Sequence, residues 1–167
     1  MAARLIALQG DITEQPTDAV VNAANEGLVR GSGVCGAIFA AAGPGLAEAC
    51  AALAPCPTGG AVATPGFALE ARWIVHAVGP VWHGGTHGEP GLLASAYRRS
   101  LEVAADVGAT SISFPALSTG VFSYPLEAAT AIAVATCRAD APPTMDEVRF
   151  VCFDRETLAA YEAALAT

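Results

Sequence analysis

The sequence predicts an α/β fold with a mainly parallel sheet between two helical layers. Six short runs of β-forming residues alternate with five helical patterns, the order a layered α/β domain requires. Most of those runs are continuously apolar rather than alternating, as in strands buried on both faces. Finally, 167 residues at 53% apolar composition are the size of one compact domain, and nothing suggests a second, so a single domain is expected over 1–167.

The elements follow in order. Leu5–Leu8 is the first strand, and Gly10 turns the chain into Asp11. Ala19–Asn22 is the second, followed by Asn25 and a glycine loop that opens the Ala-rich helix Val34–Ala42. A second helix is expected over Gly45–Leu53, then strands at Ala61–Thr64 and Ile74–Val78. The stretch 80–91 carries four glycines and reads as a long surface loop. In the helix Leu92–Val107 the fourth-spaced Leu93, Tyr97, Leu101 and Ala105 form a core stripe, with Arg98, Arg99, Glu102 and Asp106 mostly elsewhere. After the strand Ser111–Phe114, Pro125 is expected in the first turn of the helix Leu126–Arg138, where a missing N–H costs nothing. Pro142 and Pro143 mark a loop over 139–144, and the strand Val148–Phe153 and helix Glu156–Ala166 close the chain.

Composition excludes several classes. A charged fraction of 14% with 53% apolar residues excludes a disordered or coiled-coil chain. The net charge of -8 weighs against general binding to nucleic acid or anionic membranes, which calls for positive potential over an extended surface. It leaves room for one small phosphate ligand held by backbone amides. No apolar run reaches membrane-spanning length, and the five cysteines include no CxxC pair and follow no secretory signal. The expectation is therefore a soluble cytoplasmic protein with reduced thiols. A metal site is not expected either: His83 and His87 have zinc-like spacing, but Gly84 and Gly85 between them oppose a helix. His76, inside an apolar strand, reads as a satisfied structural histidine.

The chemistry concentrates where strands end. Gly31-Ser32-Gly33-Val34-Cys35-Gly36 fits the dinucleotide hexad GxGxxG, but its context is wrong for it. In that fingerprint the glycines follow the first strand directly, and an acidic residue about twenty positions on ends the second. Here residues 23–30 intervene, and the acidic candidate Glu48 lies in a helical pattern. What remains is a helix N-terminus, whose first-turn N–H groups bind anions without a cationic side chain. Asn22 and Asn25 each donate and accept, which suits sugar hydroxyls that must be oriented; each also suits its own turn. Ser118-Thr119-Gly120, after another strand, offers hydroxyls and amides to wrap a phosphate from the opposite side, or forms an ordinary turn. Asp11 could accept from an exocyclic amine such as that of adenine while the Ile12 N–H addresses a ring nitrogen; a turn-capping role is the alternative. Phe153 could stack on a base or fill the core. A helix start favours a thiolate at Cys35, yet no histidine precedes it locally as base, so a small semi-buried residue is the expected role.

Together these residues resemble the macrodomains, and among them the MacroD-type ADP-ribose hydrolases. The matching segments are Gly10-Asp11-Ile12, the run from Ala19 to Asn25, Gly31 to Val34 with Gly36 to Ile38, Ala41 to Gly43, Cys56 to Gly59, His76 to Pro80, Phe114 to Phe122 and Val151 to Asp154. They span nearly the whole chain in family order. The resemblance implies a three-layer α/β/α domain with a mixed, mainly parallel sheet and a cleft for ADP-ribose. It implies that Asp11 holds the adenine amine, Ile12 binds through its backbone and Phe153 packs near the base. Gly33 and Val34 would cradle the diphosphate from one side, with Gly31 and Ser32 in the same loop, and Ser118, Thr119, Gly120, Val121 and Phe122 from the other. Asn25 would hold the distal ribose for catalysis, with Phe122 beside it. It further implies water attack on ADP-ribosylated protein or O-acetyl-ADP-ribose, with neither metal nor cofactor. The sequence departs from the pattern at Cys35, where the MacroD-type members have aspartate, and a neutral thiol is a poor general base at pH 7. A hydrolase and a non-catalytic reader of ADP-ribose are therefore both compatible with the sequence.

Overall fold

The computed structural model describes residues 2–167. Its sheet has strands β1 (Arg4–Gln9), β2 (Ala19–Ala23), β3 (Ala61–Pro65), β4 (Trp73–Ala77), β5 (Ser111–Phe114) and β6 (Glu147–Cys152), ordered β1-β6-β5-β2-β4-β3. All neighbours are parallel except β3, which runs antiparallel to β4. The helices are α1 (Gly33–Ala42), α2 (Gly45–Leu53), α3 (Glu89–Asp106), α4 (Leu126–Asp140) and α5 (Arg155–Ala166).

Two apolar cores flank the sheet. On one face Leu93, Tyr97 and Leu101 of α3, Ala133 and Val134 of α4 and Tyr161 of α5 meet Val21, Val75, Ile112, Phe114 and Phe150. On the other, Ile38 and Phe39 of α1 and Leu46 and Cys50 of α2 meet Val20, Ile74, Val78 and Val151. Successive strand residues supply opposite faces, so Ala19 and Val21 enter the first core and Val20 the second. This is the three-layer α/β/α arrangement with a mixed, mainly parallel sheet that the sequence implies.

Five details differ from expectation. The central strands β2, β4 and β5 are buried at all but one end residue each, whereas β1, at one edge, is half-buried to exposed along its length, as expected of an edge strand. The α3 stripe turns inward by one residue and closes on Ala104 rather than Ala105, with Ala96 and Ser100 also buried. That helix starts three residues early, at Glu89, because left-handed Gly88 (φ 79°) and Pro90 form its entry. Pro125 precedes α4 as its N-cap, and β6 stops at Cys152, leaving Phe153 outside the sheet. Among the described residues no single helix is long and apolar enough to cross a membrane, and all five cysteines are free and buried.

Candidate functional site

Because β1, β6, β5, β2 and β4 are parallel, the loops that follow them share one rim of the sheet. Into that rim opens a cavity of about 270 Å³, lined by 23–25 and 31–35 after β2, Gly79 after β4, and 116–118 with 120–122 after β5. No charged side chain lines it. The first-turn N–H groups of α1 have no partner within the helix, and no acidic residue sits in that turn, so the wall built by 31–35 is positive through its backbone.

The loop after β2 is shaped by Asn25. Its Nδ2 donates to the Val29 carbonyl at 2.9 Å and its Oδ1 accepts the Val29 N–H at 3.0 Å, which closes the turn around left-handed Leu28. Each end of the amide keeps one further bonding position, and Asn25 lines the cavity. Gly36 is required here, since a Cβ would stand 2.7 Å from the Gly31 carbonyl oxygen and force loop and helix apart.

The opposite wall is the loop after β5. Ser118 has a left-handed backbone (φ 68°), and its carbonyl accepts the Tyr124 N–H at 2.9 Å. Its hydroxyl is buried without a partner, against Gly79, where any Cβ would lie 2.2 Å from Ser118 Oγ. The loop after β4 supports this wall: the Trp82 N–H donates to the Phe122 carbonyl at 2.8 Å, and the Trp82 and Tyr124 rings lie 4.6 Å apart. That supporting loop is folded around the Glu89 carboxylate, which accepts the N–H groups of His83, Gly85 and His87 at 2.7–3.0 Å. Burial alone would raise the Glu89 carboxyl, but these bonds outweigh it and hold it down at about 2.

Asn22 requires a correction. It is 1% exposed and lines no part of the cavity, because it shares the strand face of Val20, beneath α1 and α2. Its Nδ2 donates to His76 Nδ1 at 3.0 Å and lies 3.7 Å from Cys35 Sγ, while Oδ1 is buried without a partner. His76 Nδ1 is thus the acceptor, and Nε2–H reaches Thr64 Oγ1 at 3.0 Å, with Cys50 Sγ at 3.7 Å. Burial pushes this imidazole down to about 4, so it is neutral at pH 7. Cys35 does line the cavity, although only 5% exposed, and its thiol donates to the Val29 carbonyl at 3.6 Å.

The remaining residues fall into two groups. Gly31, Ser32, Gly33, Val34, Ser118, Gly120, Val121 and Phe122 line the cavity as a set, whereas half-buried Thr119 does not. Asp11, Ile12 and Phe153 lie outside the cavity, past the ends of β1 and β6, where the Gly10 N–H donates to the Cys152 carbonyl at 3.0 Å. Asp11 is exposed and caps its own 3-10 turn, Ile12–Glu14; Ile12 is buried; Phe153 is 89% exposed rather than core. Sequence reasoning gave no role to Gly79, Ala116 or Leu117, although Gly79 stands just past the end of a parallel strand, the signal used for the other loops. The His83 and His87 rings meet edge-on at 5.7 Å, and among the described residues no three metal-ligating side chains converge.

A three-layer α/β/α domain with a cleft at its parallel strand ends and no charged side chain in the lining defines a class, and comparison with known proteins names it. The Macro domain family model matches residues 21–133. A macro domain-containing protein of Chlorobaculum tepidum is 50% identical over 163 residues, covering 96% of this chain and 94% of that protein. A protein of Enterobacter cloacae named O-acetyl-ADP-ribose deacetylase is 47% identical over 171 residues, covering 99% and 95%. A glycine-to-valine variant of the Oceanobacillus iheyensis macrodomain, solved with ADPR, superposes with a TM-score of 0.91 at 40% identity, covering 97% of this chain and 91% of that one. The chain belongs to the macrodomain family.

Proposed function

We propose that this macrodomain binds ADP-ribose and hydrolyses O-acetyl-ADP-ribose or mono-ADP-ribosyl esters on protein aspartate and glutamate. The observation that carries the reading is the cavity itself: two facing loops at the strand ends, no charged side chain in the lining, and Asn25 at its wall. The diphosphate lies between 31–35 and 118–122, the adenine extends along the rim toward Asp11 and Phe153, and the distal ribose meets Asn25. The name of the Enterobacter cloacae relative, O-acetyl-ADP-ribose deacetylase, supports the acetyl ester as one substrate. Water supplies the oxygen that bonds to the acyl or anomeric carbon as the ester C–O bond breaks; on acyl attack one water proton passes to the departing ribose oxygen and the other is released to solvent, and on anomeric attack the carboxylate departs as the anion while one water proton is released to solvent. With a thiol at Cys35, orientation of that water falls to Asn25 and a phosphate oxygen of the substrate rather than to a protein carboxylate.

One observation favours a second reading: the side chain at position 35 is a nearly buried thiol bonded to a carbonyl, and a domain lacking a base there could bind ADP-ribose and stop. A time course of ADP-ribose release from an Asp/Glu-linked mono-ADP-ribosylated protein, and of acetate release from O-acetyl-ADP-ribose, separates the two. Hydrolysis predicts turnover by the wild type and a loss of about 100-fold or more in Asn25→Ala. Binding without turnover, with activity gained in Cys35→Asp, would establish a reader.

A further inference from the structure

Asp11 is held by more bonds than its turn needs. Its Oδ1 accepts both the Thr13 N–H, at 2.8 Å, and the Thr13 hydroxyl, at 2.7 Å; among the described residues Oδ2 accepts none. Its carbonyl accepts the Glu14 N–H at 3.1 Å, which closes the turn. That same carbonyl takes a further bond at 2.9 Å from Gln15 Nε2. Gln15 is 6% exposed, an unfavourable place for a primary amide unless both ends are bonded. Its Oε1 accepts from Arg149 Nη1 at 3.2 Å, and Arg149 Nε donates to Glu147 Oε2 at 2.6 Å. Glu147 also pairs with Arg4, its partner across the β1–β6 ladder. A chain of polar contacts thus runs from two strands of the sheet, through one buried amide, to the peptide that carries Asp11.

The β1–β6 ladder and the 3-10 turn are both complete without Gln15. What the amide adds is a fixed orientation of the Asp11 peptide relative to the sheet, with Oδ1 occupied and Oδ2 left for a ligand donor. We propose that Gln15, backed by Arg149, is a positioning residue for base recognition: it aims Asp11 at the exocyclic amine of the adenine. The inference rests on the ADP-ribose reading above. A carboxylate discriminates an amine from a carbonyl at that ring position only if it cannot swing away, because a 6-oxo base presents an acceptor where Asp11 offers only acceptors.

Calorimetric affinities for ADP-ribose and for its hypoxanthine analogue, inosine diphosphate ribose, test this in wild type, Asp11→Ala, Gln15→Leu and Arg149→Met, each with a thermal melt. Wild type prefers ADP-ribose and Asp11→Ala loses the preference. Gln15→Leu reduces it about three- to tenfold, the size of one net hydrogen bond, with affinity for the inosine analogue unchanged. Arg149→Met shifts it in the same direction and keeps the inference testable if Gln15→Leu does not fold. A purely structural role would lower the melting temperature and leave the ratio intact; that result in both variants overturns the inference while the ADP-ribose reading stands. Failure of the wild type to bind ADP-ribose overturns the reading, and the inference with it.

Discussion

At the residue scale, the cleft and the interior meet at Cys35. The residue lines the cavity while its thiol is bonded to the Val29 carbonyl, and beside that thiol the Asn22 amide connects to a histidine that is fully buried. The acid-base consequence lies with His76. Its pKa falls from the ordinary 6.5 to about 4 on folding, so between those values the unfolded chain binds a proton that the native state refuses. The stabilisation is therefore fully present above pH 6.5 and is lost progressively as pH falls toward 4, by an amount on the order of 3 kcal/mol. The melting temperature should drop over that interval in wild type, and His76→Gln, less stable at pH 7, should show a much flatter profile. An unchanged slope in the variant would assign the titration to another group. His76 was legible in the sequence as a structural histidine because an imidazole in an apolar run has little choice but to be bonded. Asn22 was not: its strand was readable, but whether that face of β2 meets the cleft or the helices depends on where α1 and α2 settle.

At the scale of elements, the cleft is a contact between loops that the sequence places far apart. The parallel order of strands made the loops after β2 and β5 legible as neighbours, since both follow the carboxyl ends of strands in one sheet. The third loop, after β4, was not legible as part of the wall. Its role depends on the Glu89 carboxylate gathering three backbone N–H groups, on Trp82, and on the fit of Gly79 against Ser118, none of which has a local sequence signature. That fit is directly testable. Gly79→Ala puts a methyl 2.2 Å from Ser118 Oγ and must displace the hydroxyl or the loop. Ser118→Ala removes the obstructing atom, leaving the next contacts at 3.5 Å and beyond. ADP-ribose affinity should fall about tenfold in Gly79→Ala and recover most of that loss in the double variant. Additive losses would show that Gly79 acts on the ligand itself rather than through Ser118.

For the whole molecule, the governing fact is a net charge of -8 around a cavity with no charged side chain in its lining. The diphosphate of the proposed ligand is anionic, so the long-range field opposes its approach, and attraction must come from fixed N–H dipoles at contact distance. These two contributions answer to salt differently. Interactions of exposed charges beyond a Debye length, about 10 Å at 0.1 M, are screened, whereas dipoles touching a partly desolvated ligand are screened far less. Added salt should therefore weaken the repulsion more than the attraction. Raising sodium chloride from about 0.05 M to about 0.5 M should leave ADP-ribose affinity level or slightly tighter, within about twofold, when followed by calorimetry at constant pH. A site built on lysine or arginine would lose affinity steadily over the same range as its ion pairs were screened. A steep loss here would mean that an exposed cation such as Arg30, at the end of the loop that Asn25 closes, swings onto the diphosphate once it is bound, and recognition by backbone alone would have to be abandoned.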